Sequence, residues 1–345
     1  MIKGFRVYKK RDIIRKAAVA LLLSAVVIAL IFSAVIAKDM LGVKADREVI
    51  VSIPEGAGMK TISEILEENG VISHPFVFRM RASLGNYVIQ QGRHILNRSM
   101  SYKKILNKLT QIPDAGYDNI YKVLIPEGYE IKDIAEALAE KELIDTELFY
   151  EEAETGKFDY PFIDKIKRDE NRLEGYLFPA TYEIQKGESE HAIINKMLEK
   201  FNQVVVPLYE ASDSKYTLDE IVTMASIIER EAANDSERPV VASVFYNRIE
   251  KDMTLSSCAT VQYILKERKK VLSVADTKIK SPYNTYREKG LPPGPIASPG
   301  EASIRAALSP ADTDYLYFAA KADGSGNVFS KTGAEHLKTV ERLQN

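Results

Sequence analysis

The sequence predicts an α+β protein: one N-terminal membrane-spanning helix, then small αβ modules, then a mainly helical domain with β additions. Three observations carry that expectation. Ala17 to Ala37 runs without a charge or a proline. Val51-Ser52-Ile53-Pro54-Glu55-Gly56 recurs as Val123-Leu124-Ile125-Pro126-Glu127-Gly128. Thr217 to Ile249 has the apolar spacing and capping signals of two successive helices.

Composition narrows what such a chain can do. Its 345 residues have room for two or three domains. With 47 basic and 49 acidic residues the net charge is -2, so nothing points to a nucleic-acid surface. A single cysteine, Cys258, excludes an intramolecular disulfide and a Cys-rich metal site, and reads as a small core residue. His74, His94, His191 and His336 lie far apart, without HExxH spacing, so no metal is expected. Neither a phosphate loop nor a G-x-G-x-x-G fingerprint is present, and no cofactor is expected.

Residues 1–16 carry Lys3, Arg6, Lys9, Lys10, Arg11, Arg15 and Lys16 against Asp12 alone, which reads as a basic cytoplasmic segment. The apolar run at 17–37 would span about 30 Å as a helix, the thickness of a bilayer core. A signal peptide would have a shorter apolar region and a small-x-small cleavage site. The expected topology is therefore a single-pass cell-membrane protein with everything after Lys38 on the extracytoplasmic side.

The repeat extends beyond its Pro-Glu-Gly turn. Ile62 falls on Ile134, Leu66 on Leu138, Ile72 on Ile144 and Phe76 on Leu148. Each copy reads as a short strand, a turn, an amphipathic helix and a second helix starting near Pro75 or Thr146, the first continuing through a strand-like Gly92–Leu96 into a helix at Tyr102–Leu109. Such units resemble LysM modules in layout, and the region 48–152 is assigned to them, with Gln111–Asn119 as a linker. Residues 151–172 read as charged and loop-rich, Leu173–Tyr182 as aromatic and half-buried, and His191–Phe201 as an amphipathic helix.

The helix pair follows. Thr217 and Glu220 have capping-box spacing, and Tyr216 and Ile221 sit at hydrophobic-staple positions. Leu218, Ile221, Val222, Ala225, Ile228 and Ala232 form one apolar stripe. Ser236 can cap the second helix, with Val240, Val241, Val244 and Phe245 as its buried face. Beyond it, Pro292, Pro293, Pro295 and Pro299 with three glycines make a stiff loop that cannot be helix or strand interior. A short helix at Glu301–Leu308 precedes a hairpin whose arms are Tyr315–Phe318 and Asn327–Phe329.

Candidate chemistry lies in two places. Tyr283, Asn284 and Tyr286 beside the rigid loop suit a sugar cleft, since aromatic faces stack on pyranose rings and an amide both donates and accepts. Glu229 and Glu231 end the first helix of the pair, roughly 160° apart around its axis, so they cannot form one close dyad. Burial in the stripe favours Glu229. The negative end of the helix dipole favours Glu231, because it raises a carboxyl pKa as a general acid requires. Periodicity alone leaves the choice open.

The motifs TMASIIEREA…SERPVVASVFYNRI, LEGYLFPATY, YNTYREKGLPPGPIASPG and DYLYFAA…SKTGAEH together resemble the endolytic murein transglycosylases of the YceG-like family. The resemblance implies a membrane-anchored protein with LysM-like modules at 48–152 and a catalytic domain at 153–345. It implies internal cleavage of nascent peptidoglycan glycan strands between N-acetylmuramic acid and N-acetylglucosamine, next to the inner-membrane machinery of wall synthesis. The family's catalytic glutamate lands on Glu231. Tyr283, Asn284, Tyr286, Glu229 and Asn247 are the candidate substrate-binding residues. Three positions depart from the family pattern: Ala180, Ser256 and Cys258. The rival readings are a membrane-anchored wall-binding protein without activity and a hydrolytic muramidase.

Overall fold

The structure, a computed structural model, describes residues 33–44, 47–113, 120–168, 170–269 and 271–344. The basic segment 1–16 and nearly all of the 17–37 run lie outside them. Residues 33–41 are helical, and among the described residues no helix is long and apolar enough to cross a membrane. The described chain falls into two compact units, one before the 114–119 stretch and one after it.

In the first unit, strand β1 (Glu48–Ile53) turns Val49, Val51 and Ile53 inward at the period of two that a one-faced strand requires. It pairs antiparallel with β2 (Gly92–Asn97), Val51 opposite His94 and Ile53 opposite Gly92. Between them lie helices α1 (Met59–Glu68) and α2 (Pro75–Ser83), and α3 (Tyr102–Leu109) follows. Ile62, Leu66, Phe78, Ile105, Leu106 and Leu109 close one small core against the strands.

The second unit begins with the second repeat copy. β3 (Ile120–Leu124) is followed by α4 (Ile131–Ala139) and α5 (Thr146–Thr155), with Asp145 capping α5 through its carboxylate. The partner of β3 is β4 (Thr181–Gln185), antiparallel, Val123 opposite Tyr182. Helix α6 (Glu190–Glu210) comes next, longer than the stretch predicted around His191–Phe201. Both copies thus share the order strand, helix, helix, strand, helix, and the repeat partners Val51 and Val123 take equivalent places in their ladders. The copies differ in what separates the second helix from the returning strand, because the second admits residues 156–180 there, the LEGYLFP segment included.

That insertion moves the predicted boundary. A division at 152/153 would cut β3 from β4 and remove Val123, Ile125, Ile134 and Leu138 from a core they share with Phe178, Ile194, Val222 and Ile304. The second copy is part of the larger unit, and the division falls in the 114–119 stretch.

At the centre of that core lies α7 (Leu218–Glu231), which starts on the predicted capping box: Glu220 N–H donates to Thr217 Oγ1 at 3.3 Å, and Thr217 N–H to the Glu220 carboxylate at 2.8 Å. The expected single apolar stripe is replaced by complete burial from Ile221 to Ile228. Its polar members are satisfied locally: Thr223 Oγ1 donates to Asp219 O at 2.7 Å, and Ser226 Oγ donates to Thr223 O and accepts from Ile296 N–H. Helix α8 (Arg238–Glu250) packs alongside, then come α9 (Cys258–Leu265), α10 (Glu301–Leu308), the hairpin β5 (Tyr317–Ala320) with β6 (Asn327–Ser330), and α11 (Gly333–Gln344). The start of α8 differs from the prediction. Ser236 hydrogen-bonds Asn234 Oδ1 at 2.6 Å, the same oxygen accepts from Glu237 N–H, and Glu237 takes the capping position.

These boundaries predict how truncations behave. A fragment beginning at residue 118 should unfold in one cooperative thermal transition, whereas one beginning at 153 should lose it, having lost a strand and a face of its core. Circular dichroism melts of the two compare them directly. A cooperative transition in the shorter fragment would restore the boundary at 152/153.

Candidate active site

The end of α7 sends its two glutamates to different surroundings, as helical geometry requires. Glu229 is an ion-paired core group, with only 6% of its side chain accessible. Oε1 accepts from Arg238 Nη1 at 3.0 Å, and Oε2 accepts from Gly300 N–H at 3.0 Å and Ser303 Oγ at 2.9 Å. Arg238 also donates to Asp235 Oδ1 at 3.0 Å and to Ser303 Oγ at 2.8 Å. The pair binds the last turn of α7 to the first turns of α8 and α10. The Pro-Glu-Gly turn of the second repeat closes over it. Gly128 N–H donates to Ser298 O at 2.8 Å and Ser298 N–H to Tyr129 O at 2.7 Å. The Glu127 carboxylate lies over Gly300, where an added Cβ would make it swing aside.

Glu231 turns the other way and is partly accessible. Its Oε1 accepts from Ser257 Oγ at 2.5 Å and from Ala259 N–H at 3.2 Å. Those donors sit at the start of α9, so the carboxyl group caps a helix that Ser257 does not cap itself. No hydrogen bond reaches Oε2 among the described residues. Burial raises the Glu231 pKa, while Ser257, the α9 N–H groups and the charge of Arg230 pull it down; burial wins. The adjacent Arg230 is held off by Glu130, with Nη1 at 3.3 Å from Oε1 and both side chains nearly buried. Asn327 fixes the C-terminal end of α7, its Nδ2 reaching Glu231 O at 3.4 Å and the Glu237 carboxylate at 2.8 Å.

The loop 281–287 is pinned to the same helix start. Thr285 O accepts from Ser256 N–H at 2.8 Å, and Thr285 Oγ1 accepts from Ser257 N–H at 3.1 Å and lies 2.8 Å from Thr260 Oγ1. Ser256 adopts a left-handed φ of 51°, a strain that a non-glycine residue tolerates only where its surroundings enforce it. Tyr286, half-buried, places its hydroxyl 3.0 Å from Cys258 Sγ beside the start of α9. Cys258 is therefore exposed at the first turn of α9, not in the core as expected. Arg248 approaches from α8, with Nε on Leu316 O at 2.6 Å, Nη1 on Leu255 O at 2.7 Å and the guanidinium 5.1 Å from the Tyr317 ring centre.

Of the expected site residues, the structure brings Glu231 and Tyr286 together at the start of α9. Tyr283 lies further along the loop, tilted on Tyr263 at 5.1 Å and lining a cavity of about 330 Å³ with Arg168 and Asp219. Three others are corrected. Asn284 is fully buried, with Nδ2 on Thr277 O and Ile279 O and Oδ1 on Tyr286 N–H, so it shapes the loop and presents nothing to a sugar. Glu229 is enclosed by Arg238, Gly300 and Ser303. Asn247 gives both amide hydrogens to Thr313 O and Tyr315 O. Sequence reasoning missed Ser257, Thr285, Arg230 and Glu130. Only Ser257 left a signal, as a cap-type residue directly before an apolar helical run. Two of the departures from the family pattern, Ser256 and Cys258, flank that serine, whereas Ala180 contributes its carbonyl to Ile125 N–H.

Glu174, from the inserted segment, is a second buried carboxyl. It is 3% exposed and accepts from Ile131 N–H at 3.1 Å. Burial, reinforced by the negative charge of Glu130, pushes its pKa up to about 8.

One carboxyl of raised pKa, capped on one oxygen and open at the other, beside an aromatic loop, outlines an enzyme of the acid–base class. The family model of the YceG-like family matches residues 51–342, and the chain belongs to that family. An endolytic murein transglycosylase of Bacillus subtilis is 36% identical over 311 residues, covering 85% of this chain and 84% of its own. One of Streptococcus pneumoniae is 32% identical over 320 residues, covering 85% of this chain and 58% of the longer pneumococcal one. The crystal structure of a yceG-like protein from Listeria monocytogenes, 33% identical, covers 86% of this chain with a TM-score of 0.57.

Two substitutions test the division of labour. Glu229→Gln leaves Arg238 without its buried countercharge and should cost about 3 kcal/mol of unfolding free energy, the usual scale for breaking a buried pair; a change near zero in denaturant titration would contradict it. For Glu174, the folded state holds a proton between the ordinary value of 4.5 and about 8 that the unfolded chain releases. Stability must then fall as pH rises through that window, by a few kcal/mol in order of magnitude. Glu174→Gln should flatten this slope in melts from about pH 4 to about pH 9; an unchanged slope would show that Glu174 is ionised throughout.

Proposed function

We propose that the chain is an endolytic murein transglycosylase that cuts the bond between N-acetylmuramic acid and N-acetylglucosamine in nascent glycan strands, leaving 1,6-anhydro-muramic ends, with Glu231 as general acid and then general base. The observation that carries this reading is that only one of the paired carboxylates is available. Glu229 is closed in by Arg238, Gly300 and Ser303, while Glu231 keeps Oε2 free of hydrogen bonds among the described residues.

Hydrolysis of a glycoside normally needs two carboxyl groups, one for the leaving oxygen and one for water or for the anomeric carbon. A transglycosylase needs only one. Protonated Glu231 gives its proton to the glycosidic oxygen as the bond from the anomeric carbon breaks, and the glucosamine end departs with a new hydroxyl. The carboxylate then takes the proton of the muramic 6-hydroxyl, whose oxygen closes on the same anomeric carbon. The proton balance is zero and no water enters. Because the nucleophile belongs to the substrate, proximity does the work that an activated water would otherwise do. The environment of Glu231 suits both halves. Burial raises its pKa and so favours the acid form at the start, and the Ser257 and α9 donors stabilise the carboxylate midway. Tyr286 offers a ring beside the α9 start for a pyranose face.

The same reading places residues 17–37 in the cell membrane as a single pass, with the N-terminus in the cytoplasm and both units on the extracytoplasmic side, beside the machinery that makes the strands. The 48–113 unit serves as the glycan-holding, LysM-like module. Its antiparallel strands with two helices between them support that comparison of layout.

General acid catalysis contributes on the order of 10²–10⁴ in rate. Glu231→Gln should lose at least that factor on purified strands while melting at the wild-type temperature and still retaining strands in a pull-down. Wild-type activity should decline as pH rises through the elevated Glu231 value, because the acid form does the first step. Full activity in Glu231→Gln would remove the mechanism, and loss of folding alongside activity would leave Glu231 a structural cap.

A further inference from the structure

The segment from Lys266 to Lys289 holds eight Lys or Arg against three Asp or Glu, in a chain whose net charge is -2. Part of this excess is neutralised: Arg268 pairs with Asp133, Lys269 with Asp276 and Lys289 with Asp252. Lys278, Lys280 and Arg287 are exposed and make no ion pair among the described residues; the Arg287 guanidinium donates only to the Lys278 carbonyl, at 3.0 Å. Lys280 and Arg287 line a shallow, open cavity of about 720 Å³, together with Ser281, Glu288 and Leu291. Glu231 does not line it. The cavity shares Pro282 and Pro293 with the one that Tyr283 lines, so the two adjoin along the loop that bears Tyr283 and Tyr286.

We propose that this cavity binds the stem peptide carried by the muramic residues of the strand, an inference that rests on the glycan reading above. Its chemistry fits such a peptide on two counts. Two cations without countercharge suit its carboxylates, and Glu288 in the same wall suits a free amine. The continuity with the Tyr283 loop favours a branch of the substrate over a lipid surface. Binding there would bias cleavage toward strands whose peptides are intact.

The test compares kcat/KM of the full-length protein on peptide-bearing strands and on strands stripped of peptide, for the wild type and for Lys280→Glu/Arg287→Glu. The wild type should prefer peptide-bearing strands on the order of tenfold, the scale of one or two charge-assisted contacts. The double variant should lose the preference and keep the rate on stripped strands. No preference in the wild type, an unchanged preference in the variant, or an equal fall on both substrates would overturn the proposal. Exposed Val271 and Val274 nearby define a further arm, sedimentation with phosphatidylglycerol vesicles of the fragment beginning at residue 118, which lacks residues 17–37, once its cooperative melt is established. Vesicle binding lost in the variant with the preference intact would assign the patch to the membrane and overturn the proposal as well. If no strand is cut at all, the glycan reading fails, and calorimetry with the isolated stem peptide still decides the cavity: binding weakened by the double substitution supports it, and no binding removes it.

Discussion

Arg238 and Glu229 form the contact on which the rest of the site depends. Through one guanidinium and one carboxylate they join the end of α7, the start of α8, Gly300 and Ser303, with Asp235 and Glu127 as outer partners. A buried pair of this kind adds little net stability compared with an apolar substitute, but it is costly to break and it fixes one arrangement. That arrangement orients the last turn of α7. With Glu229 turned into the core, the residue two places on must emerge on the opposite side, where α9 begins.

Glu231 then stands between opposing influences. It sits at the negative end of its own helix and at the positive start of α9, so neither dipole acts alone. Burial raises the carboxyl pKa, and Glu130, by pairing with Arg230, offsets the guanidinium charge that would lower it. A group that must hold a proton and then be stable without it is well served by such a near balance. The left-handed Ser256 and the Thr285 bonds hold the donor set in place, so the field at Glu231 does not have to reorganise when the proton leaves.

The local features were legible in the sequence because they rest on short-range chemistry. The Thr217 box, the β5–β6 hairpin and the opposed directions of Glu229 and Glu231 all follow from spacing alone. The repeat was legible too, but its meaning was not. Copying Val51-Ser52-Ile53-Pro54-Glu55-Gly56 as Val123–Gly128 says nothing about which strand completes each copy, and in the second copy that strand arrives only after the inserted 156–180 segment. Asn284 misled for a related reason. An amide beside two tyrosines looks like a sugar contact, yet in a tight loop the nearest carbonyls, those of Thr277 and Ile279, claim it first. Ser257 and Thr285 act through contacts between segments well separated in sequence, which no local pattern records.

The central claim is that one carboxyl serves both halves of the reaction and that water takes no part. Digestion of purified strands in water enriched in heavy oxygen, followed by mass spectrometry of the new muramic ends, tests it most directly. The account predicts anhydro ends with no heavy oxygen incorporated, because the 6-hydroxyl of the same sugar supplies the nucleophile. Reducing muramic ends carrying the heavy label would show that water attacks the anomeric carbon, and the single-carboxyl mechanism would fall.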